Sequence, residues 1–472
     1  MTQVAKILPR PDMAGAHVAI EATADARRRA LCARIDRVIA LIDQALSRQV
    51  AAVRRDPAFA DLEARWRGLA MLIDRTGPDE TVQIKLLDAS WPTVARDLER
   101  AADFDQSHLH KLVYDGEFGM PGGLPFGLLL CDYTLSHVSD AGSTDPIEAT
   151  RRLASVAAAA FCPVVARAGS RLFGLRDGDT IDSVTDLPDA RAILREDPAY
   201  LRWQSLRRSP DMRFVGLVAP DLVLERPIDR TVPRDFVPAA FMADHTVLNG
   251  AFGLAATVVD AYRDSGWFAA IRGAWQDTSG GGRVADVPPL DMGTDCHGLS
   301  AQPAVTCRLT GAQEEAMVRL GIVPLSTLYL DTDPVFNTLA SAHEPQTYDT
   351  AIATQNARLA AMLQYVLCTS RFAHYLKVMM RDETGSIADP SVLEHRLDAW
   401  LRDYCLGNDD ADDDLKAQYP LRDAGVTVRA LPGRPGCFGC TIRLQPHFQL
   451  DDISTSFHLV AESVDTLRSV PA

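Results

Sequence analysis

Nowhere in its 472 residues does the chain hold a run of about 18 apolar residues, so no segment reads as a bilayer-spanning helix. Met1 to Pro11 also lacks an apolar stretch followed by a small-residue cleavage site, and a cytoplasmic location is expected. Positive charge is short as well: 48 Lys and Arg stand against 63 Asp and Glu, and the net charge of -15 repels polyanions. With no basic run to work against that field, a nucleic-acid partner is not expected. Phosphate-loop chemistry is missing, because Gly280-Gly281-Gly282-Arg283 and Gly122 to Gly127 both lack the Lys and Ser or Thr that grip a nucleotide. They read as tight turns.

The nine cysteines are odd in number, and several sit in apolar runs such as Leu130-Cys131-Asp132 and Phe161-Cys162-Pro163, so buried free thiols are expected rather than a disulfide framework. Cys437-x-x-Cys440 has a metal or redox spacing, but one pair supplies two of the four tetrahedral zinc ligands. His447 and Cys296-His297 are the residues that would complete a site. A cysteine- or zinc-dependent hydrolase around Cys437, Cys440 and His447 is the alternative enzyme reading, set against two small residues in a C-terminal sheet. The run Asp409, Asp410, Asp412, Asp413, Asp414 lacks the Gly and distal Glu of a calcium loop and reads as solvated. No G-x-S-x-G motif accompanies any histidine. No catalytic or metal residue is assigned and no cofactor is expected.

What the chain does have is 47% hydrophobic and 24% charged residues, enough for two or three domains. From about Thr23 to Val53 the spacing predicts an amphipathic helix, with Leu31, Ile35, Val38, Ile39, Ile42, Leu46 and Val53 on one face. That stripe fits either this chain's own core or a partner's helix. Asp56-Pro57 has the chemistry of a helix start, followed by Phe59, Leu62, Trp66, Leu69 and Ile73 on one face. Alternation at Val82, Ile84 and Leu86 predicts a half-buried strand, and Phe126 to Cys131 a central one. A βαβ unit follows from that strand, a helix from Asp145 to Ala160, and a strand at Pro163 to Ala166.

Further strands are expected at Phe214 to Val218, Trp267 to Ile271 and Val323 to Leu330, with helices at Val247 to Tyr262 and Gln313 to Leu320. Gly280 to Pro303 should be a long loop. Ala351 to Met380 reads as one long helix, in which Arg371, His374, Lys377 and Arg381 share an arc opposite Phe372, Tyr375, Leu376 and Met379. The basic arc is expected to face something other than the core. A helix at Leu393 to Tyr404 and strands at Val426 to Arg429, Phe438 to Leu444 and Phe457 to Val460 predict a small antiparallel sheet.

Several of these stretches resemble one family, the large sheath subunit of type VI secretion (TssC/VipB, also ImpC/ImpD or EvpB). Asp56-Pro57-x-Phe59-x-x-Leu62-Glu63-x-x-Trp66-x-Gly68-Leu69 is similar to the family's opening helix, and Gly122-Gly123-Leu124-Pro125-Phe126-Gly127 with Asp132-Tyr133 to its GGxPFG strand. Ala157 to Pro163, Trp203-x-x-Leu206-Arg207 with Asp211-x-Arg213-Phe214, and Gly266-Trp267 to Gly273 follow in the family's order. The most specific match is Ser370-Arg371-Phe372-Ala373-His374-Tyr375-Leu376-Lys377 with Arg381-Asp382 and Gly385-Ser386; Pro420-Leu421-Arg422 and Pro446-His447-Phe448-Gln449 close the set. Cys131 departs from the family's usual Gly, and Leu224 to Ile228 from its RLPYG.

The resemblance implies an α/β (mixed α+β) contractile-tail-sheath-like fold: an N-terminal helical arm over 1–55, a central α/β domain over 56–345, and a C-terminal domain with terminal strands over 346–472. It implies a structural protein rather than an enzyme. Such a subunit pairs with a small sheath subunit of the TssB/VipA type and self-associates into a helical sheath around the Hcp inner tube, docked on a baseplate. The AAA+ unfoldase ClpV would disassemble the contracted state. A non-polymerising baseplate or adaptor paralogue is the other alternative. Expected subunit-interface residues are Arg371, His374, Lys377 and Arg381 on the basic arc, Arg207 and Arg213, and Phe438, Ile442, Leu444, His447 and Phe448 on an exchanged strand edge.

Overall fold

The computed structural model describes residues 13–77, 81–120, 122–138, 144–176, 179, 181–225, 245–274, 281–290, 302–328, 332–382, 389–408, 411–430, 438–447 and 457–462. The chain divides into two compact units, residues 1–63 with 225–246 and residues 64–224 with 247–472.

The first unit is built on helix α1, Met13–Arg54. It is longer than the expected helix because, past Gly15, nothing up to Arg54 breaks the pattern: the segment has no further Gly and no Pro. Helix α2, Pro57–Thr76, restarts after a break. The Asp56 carboxylate accepts from the backbone N–H groups of Ala58 at 3.0 Å and Phe59 at 3.3 Å, as an N-cap does.

In the second unit, the later turns of α2 bury Gly68, Leu72 and Arg75. A Cβ at Gly68 would lie 2.7 Å from the side chains of Leu248 and Phe252, so only glycine lets this helix approach so closely. The expected strand at Val82 to Leu86 is not formed: residues 83–90 are neither helix nor strand. Helix α3, Trp91–Arg100, follows.

The βαβ unit is present as strand β1, Leu129–Leu135, helix α4, Pro146–Ala159, and strand β2, Val164–Ala168. Asp145 caps α4 by accepting from the Ile147 N–H at 3.1 Å, with Pro146 where its missing N–H costs nothing. Helix α5, Tyr200–Arg207, leads to β3, Val215–Ala219. Helix α6, Gly250–Ser265, begins at an Asn249 cap and stops at Gly266, whose φ of 78° lies in the left-handed region. Helix α7, Gly311–Arg319, starts in a Thr310/Gln313 capping box and precedes the short strand β4, Val323–Pro324.

The sheet order is β1-β2-β3-β4, all parallel, with Leu130 beside Val165, Val165 beside Gly216, and Val218 beside Val323. The apolar run of the first strand therefore belongs to an end strand, not the central one expected. Alternation splits two cores: Val164, Ala166, Trp203 and Leu217 lie in one, Val165, Val218, Leu254 and Phe336 in the other. Beyond Val323–Pro324 and Ser326–Thr327 the expected strand to Leu330 does not continue among the described residues.

The long helix expected from Ala351 breaks at Ala361-Met362 into α8, Ala351–Ala360, and α9, Leu363–Asp382. The first turn of α9 crosses the sheet so closely that a Cβ on Gly216 would meet Leu363 at 2.6 Å. Helix α10, Pro390–Arg402, then packs on an antiparallel sheet of β5, Leu421–Ala430, β6, Phe438–Pro446, and β7, Phe457–Glu462, in the order β7-β6-β5. Their core joins Leu397, Leu401, Val426, Cys440, Ile442 and Leu444 to Phe372, Leu376 and Trp267. The strand expected at Trp267 to Ile271 is absent, because Trp267 is turned aside to stack on Phe372, ring centroids 4.0 Å apart and planes within 13°.

Candidate assembly surfaces

Helix α9 carries two apolar faces. Leu363 and Leu367 belong to the core beneath the parallel sheet, whereas Cys368, Phe372, Leu376 and Met380 belong to the C-terminal core. One helix thus runs through both, and either core loses packing if it moves.

The basic arc lies between these faces and points inward. Residues 107–120 provide its seat: the Ser107 hydroxyl caps a short turn through the His110 N–H at 3.1 Å, and a π-turn over Lys111–Asp115 follows. This aligns His110, Tyr114 and Phe118 four residues apart in a column of rings, continued by the His374 imidazole 5.4 Å from Phe118. His374 is 1% exposed and its Nε2–H donates to the Ala160 carbonyl at 2.9 Å. Among the described residues its buried Nδ1 has no hydrogen-bond partner. Burial pushes its pKa down to about 4, so it sits neutral.

Lys377 donates to the Tyr114 hydroxyl at 2.7 Å, and its ammonium lies 4.5 Å from the Tyr114 centroid and 4.0 Å from that of Phe118. Burial lowers its pKa to about 8, which leaves it protonated at neutral pH. Arg371 donates to the Tyr375 hydroxyl at 3.1 Å with its guanidinium 4.6 Å from that ring, and Arg381 donates to the carbonyls of Phe118 and Met120. The expectation that this arc faces away from the core is therefore corrected. Helical spacing made the arc visible, but carbonyls and a hydroxyl more than 200 residues away in sequence take up the donors of His374, Lys377 and Arg381, and Tyr262 and Tyr375 those of Arg371.

Two further expectations change for the same reason. Arg207 is buried and donates to the carbonyls of Ala342 at 3.1 Å and Arg319 at 3.0 Å, tying α5 to the end of α7 and to the segment at Ala342. Arg213 is half-buried, with its Nε–H on the Pro210 carbonyl at 3.0 Å. Burial lowers the pKa of both. The Phe438 to Leu444 strand is not an edge: β6 is paired along one side with β5 and along the other with β7, and Ile442 and Leu444 point into the core. The outer side of β5 is in part occupied as well, since the Val428 N–H donates to Glu394 at 2.8 Å. His447 is half-buried beside β5, its backbone N–H on the Pro420 carbonyl at 3.0 Å. Phe448 and the side chain of Phe438 lie outside the described residues.

Among the described residues several large apolar side chains are left uncovered. Leu31, Ile35, Val38, Ile39, Ile42 and Leu46 on α1 are 47 to 58% exposed. On α2 the stripe of Phe59, Leu62, Trp66 and Ile73 faces outward, while Gly68 and Leu72 take the inner side. A third exposed group, Leu86, Leu87, Met120 and Leu124, was not read from the sequence as a surface. The available signal was the alternation at Val82, Ile84 and Leu86.

Enzyme chemistry finds little support. Burial pushes the Cys440 thiol up to about 12, the opposite of an activated thiolate, and Cys437, Cys296 and His297 lie outside the described residues. A concavity lined by Asp186, Pro188, Arg191, Ala316 and Arg319 has no Ser, Thr, Cys, His or Lys in its wall. Among the described residues no helix is long and apolar enough to cross a membrane.

Comparison with known proteins agrees with this assembly character. The VipB family model, EvpB/VC_A0108 tail sheath N-terminal domain, matches residues 36–343, and VipB_2, the tail sheath gpW/gp25-like domain, matches residues 352–463. The type VI secretion system sheath protein TssC1 of Pseudomonas aeruginosa is 30% identical over 438 residues, 91% of this chain and 85% of that one. Sheath tail proteins of Desulfitobacterium hafniense and Listeria innocua match at 11% and 12% identity with a TM-score of 0.33 each. They cover 70% and 69% of this chain, which spans 62% of each of theirs. On the two family models, which together take in nearly the whole sequence, and on this identity to TssC1, the chain belongs to the type VI secretion tail sheath family as a large, TssC/VipB-type structural subunit.

Proposed function

We propose that this subunit joins its small sheath partner and further copies of the same pair in a cytoplasmic helical tube around Hcp rings, anchored on a baseplate, and that contraction of the tube drives injection. The observation that carries the reading is the apolar stripe exposed on α1 and on α2. A chain that fills its cores and leaves two helix faces uncovered gains free energy by association, at about 25 cal/mol per Å² of apolar surface removed from water.

The shared helix α9 supports a mechanical role. Because Leu363, Leu367, Phe372 and Leu376 link both cores, a force applied to the C-terminal sheet reaches the parallel sheet through packed side chains. The second unit then moves as a body while inter-subunit contacts rearrange. The chain needs no nucleotide for this, and a separate AAA+ unfoldase of the ClpV type would spend ATP in recycling the contracted tube.

The test is sedimentation. Co-expressed with the small sheath subunit, the chain should pellet as a high-mass complex that ClpV and ATP return to the supernatant. A complex that stays small at every concentration contradicts the proposal.

A further inference from the structure

The chain has five lysines against 43 arginines, so an amine stands where this sequence ordinarily places a guanidinium. The difference is chemical: an arginine keeps its proton in a protein, whereas a lysine can lose one and become a nucleophile. Lys85 is bridged to the Glu117 carboxylate, Lys111 is exposed on the π-turn, and Lys416 follows Asp412, Asp413 and Asp414. Lys6 lies outside the described residues. Lys377 differs from these. It is half-buried, and the contacts of its ammonium are with neutral groups, the Tyr114 hydroxyl and the ring faces of Tyr114 and Phe118. Among the described residues no carboxylate pairs with it. Burial raises the Tyr114 phenol, so no phenolate takes the place of a carboxylate.

Ring faces attract a cation, but less than a carboxylate does, and burial outweighs them in the lowered pKa of about 8. Roughly a quarter of the amine is then free at pH 7.5, against about 0.1% for an ordinary lysine. We propose that Lys377 is a site of covalent acylation by small acyl donors of the acyl phosphate class. A half-buried seat favours a small donor, and an arc that also carries Arg371 and Arg381 favours an anionic one. The free Nζ lone pair attacks the acyl carbon and an N–C bond forms. The C–O bond to phosphate breaks with its electron pair on the leaving phosphate, and the amine's surplus proton passes to solvent. The amide product carries no charge, so the attraction to both rings is lost and residues 111–118 are held to α9 less tightly.

Site-resolved mass spectrometry of the isolated full chain treated with acetyl phosphate tests this, independently of whether tubes form. At pH 7.5 Lys377 should acetylate about 10-fold faster than the exposed Lys111, and the advantage should vanish in urea-unfolded chain. The Lys377 rate should level off above pH about 8.5, while that of an N-acetyl-lysine amide standard in the same tube keeps rising. Lys377→Arg, which keeps the charge, should abolish the fast phase of acetyl uptake. If Lys377 lags behind Lys111 in the folded chain, if its rate climbs in step with the standard, or if the fast phase survives Lys377→Arg, the proposal is overturned. Acetyl-CoA, whose leaving group is too large for this seat, should show about 5-fold less preference for Lys377 over the standard; equal preference would overturn the assignment to acyl phosphates.

Discussion

The basic arc of α9 and the apolar stripe of α1 both have helical spacing, yet the structure gives them opposite positions. Arg371, His374, Lys377 and Arg381 are drawn into the chain by ring faces and carbonyls, while Leu31, Ile35, Ile39 and Ile42 remain exposed. Charge does not by itself mark a surface. A cation with two aromatic faces and a hydroxyl within reach is well placed in a half-buried seat, whereas an aliphatic stripe becomes satisfied only when another surface arrives.

The largest effect that separates the two regions should come from reversing charge on the arc. Lys377→Glu with Arg381→Glu puts carboxylates against the Tyr114 and Phe118 rings and the Met120 carbonyl, and should lower the stability of the isolated chain by about 3 to 5 kcal/mol in urea denaturation. Unchanged stability would mean that the arc is free of the core after all.

Next comes pH. His374 is held neutral with its pKa lowered to about 4 from an ordinary 6.5, so the unfolded chain binds its proton first as pH falls. The associated stability is present in full above pH about 6.5 and is lost progressively down to pH about 4, a total of about 3 kcal/mol from this residue. His374→Gln keeps an N–H for the Ala160 carbonyl and does not titrate. Its stability profile should be flatter over that window, and an equal slope in both proteins would contradict the burial.

The smallest effect on stability should come from the other side of the comparison. Ile35→Asp with Ile42→Asp alters two exposed positions and should change the stability of the isolated chain by about 0.5 kcal/mol or less. The same variant should fail to form tubes with the small subunit, which sharpens the contrast between a face that holds the fold and a face that awaits a partner.

Much of the architecture was legible. The βαβ unit was written in an apolar run, an Asp145-Pro146 helix start and a second apolar run, and the C-terminal sheet in the alternation of Cys440, Ile442 and Leu444 with Thr441 and Arg443. Three features were not. The break at Ala361-Met362 lies inside an unbroken apolar pattern, and there the Ala340 bridge to Met362 and the Leu363 N–H bond to Leu339 take the place of helix continuation. Trp267 to Ile271 has the composition of a strand, but Phe372 captures its tryptophan. Val82 to Leu86 alternates as a strand should, but among the described residues no strand pairs with it. For the interface, helical spacing showed which residues of α9 travel together but not where they go, since Tyr114 and Phe118 are distant in sequence.

Electron microscopy of the chain co-expressed with the small sheath subunit tests the central claim most directly. The account predicts hollow tubes of regular diameter from the wild type and none from the Ile35→Asp, Ile42→Asp variant; discrete pairs from the wild type, with no tube at any concentration, would contradict it.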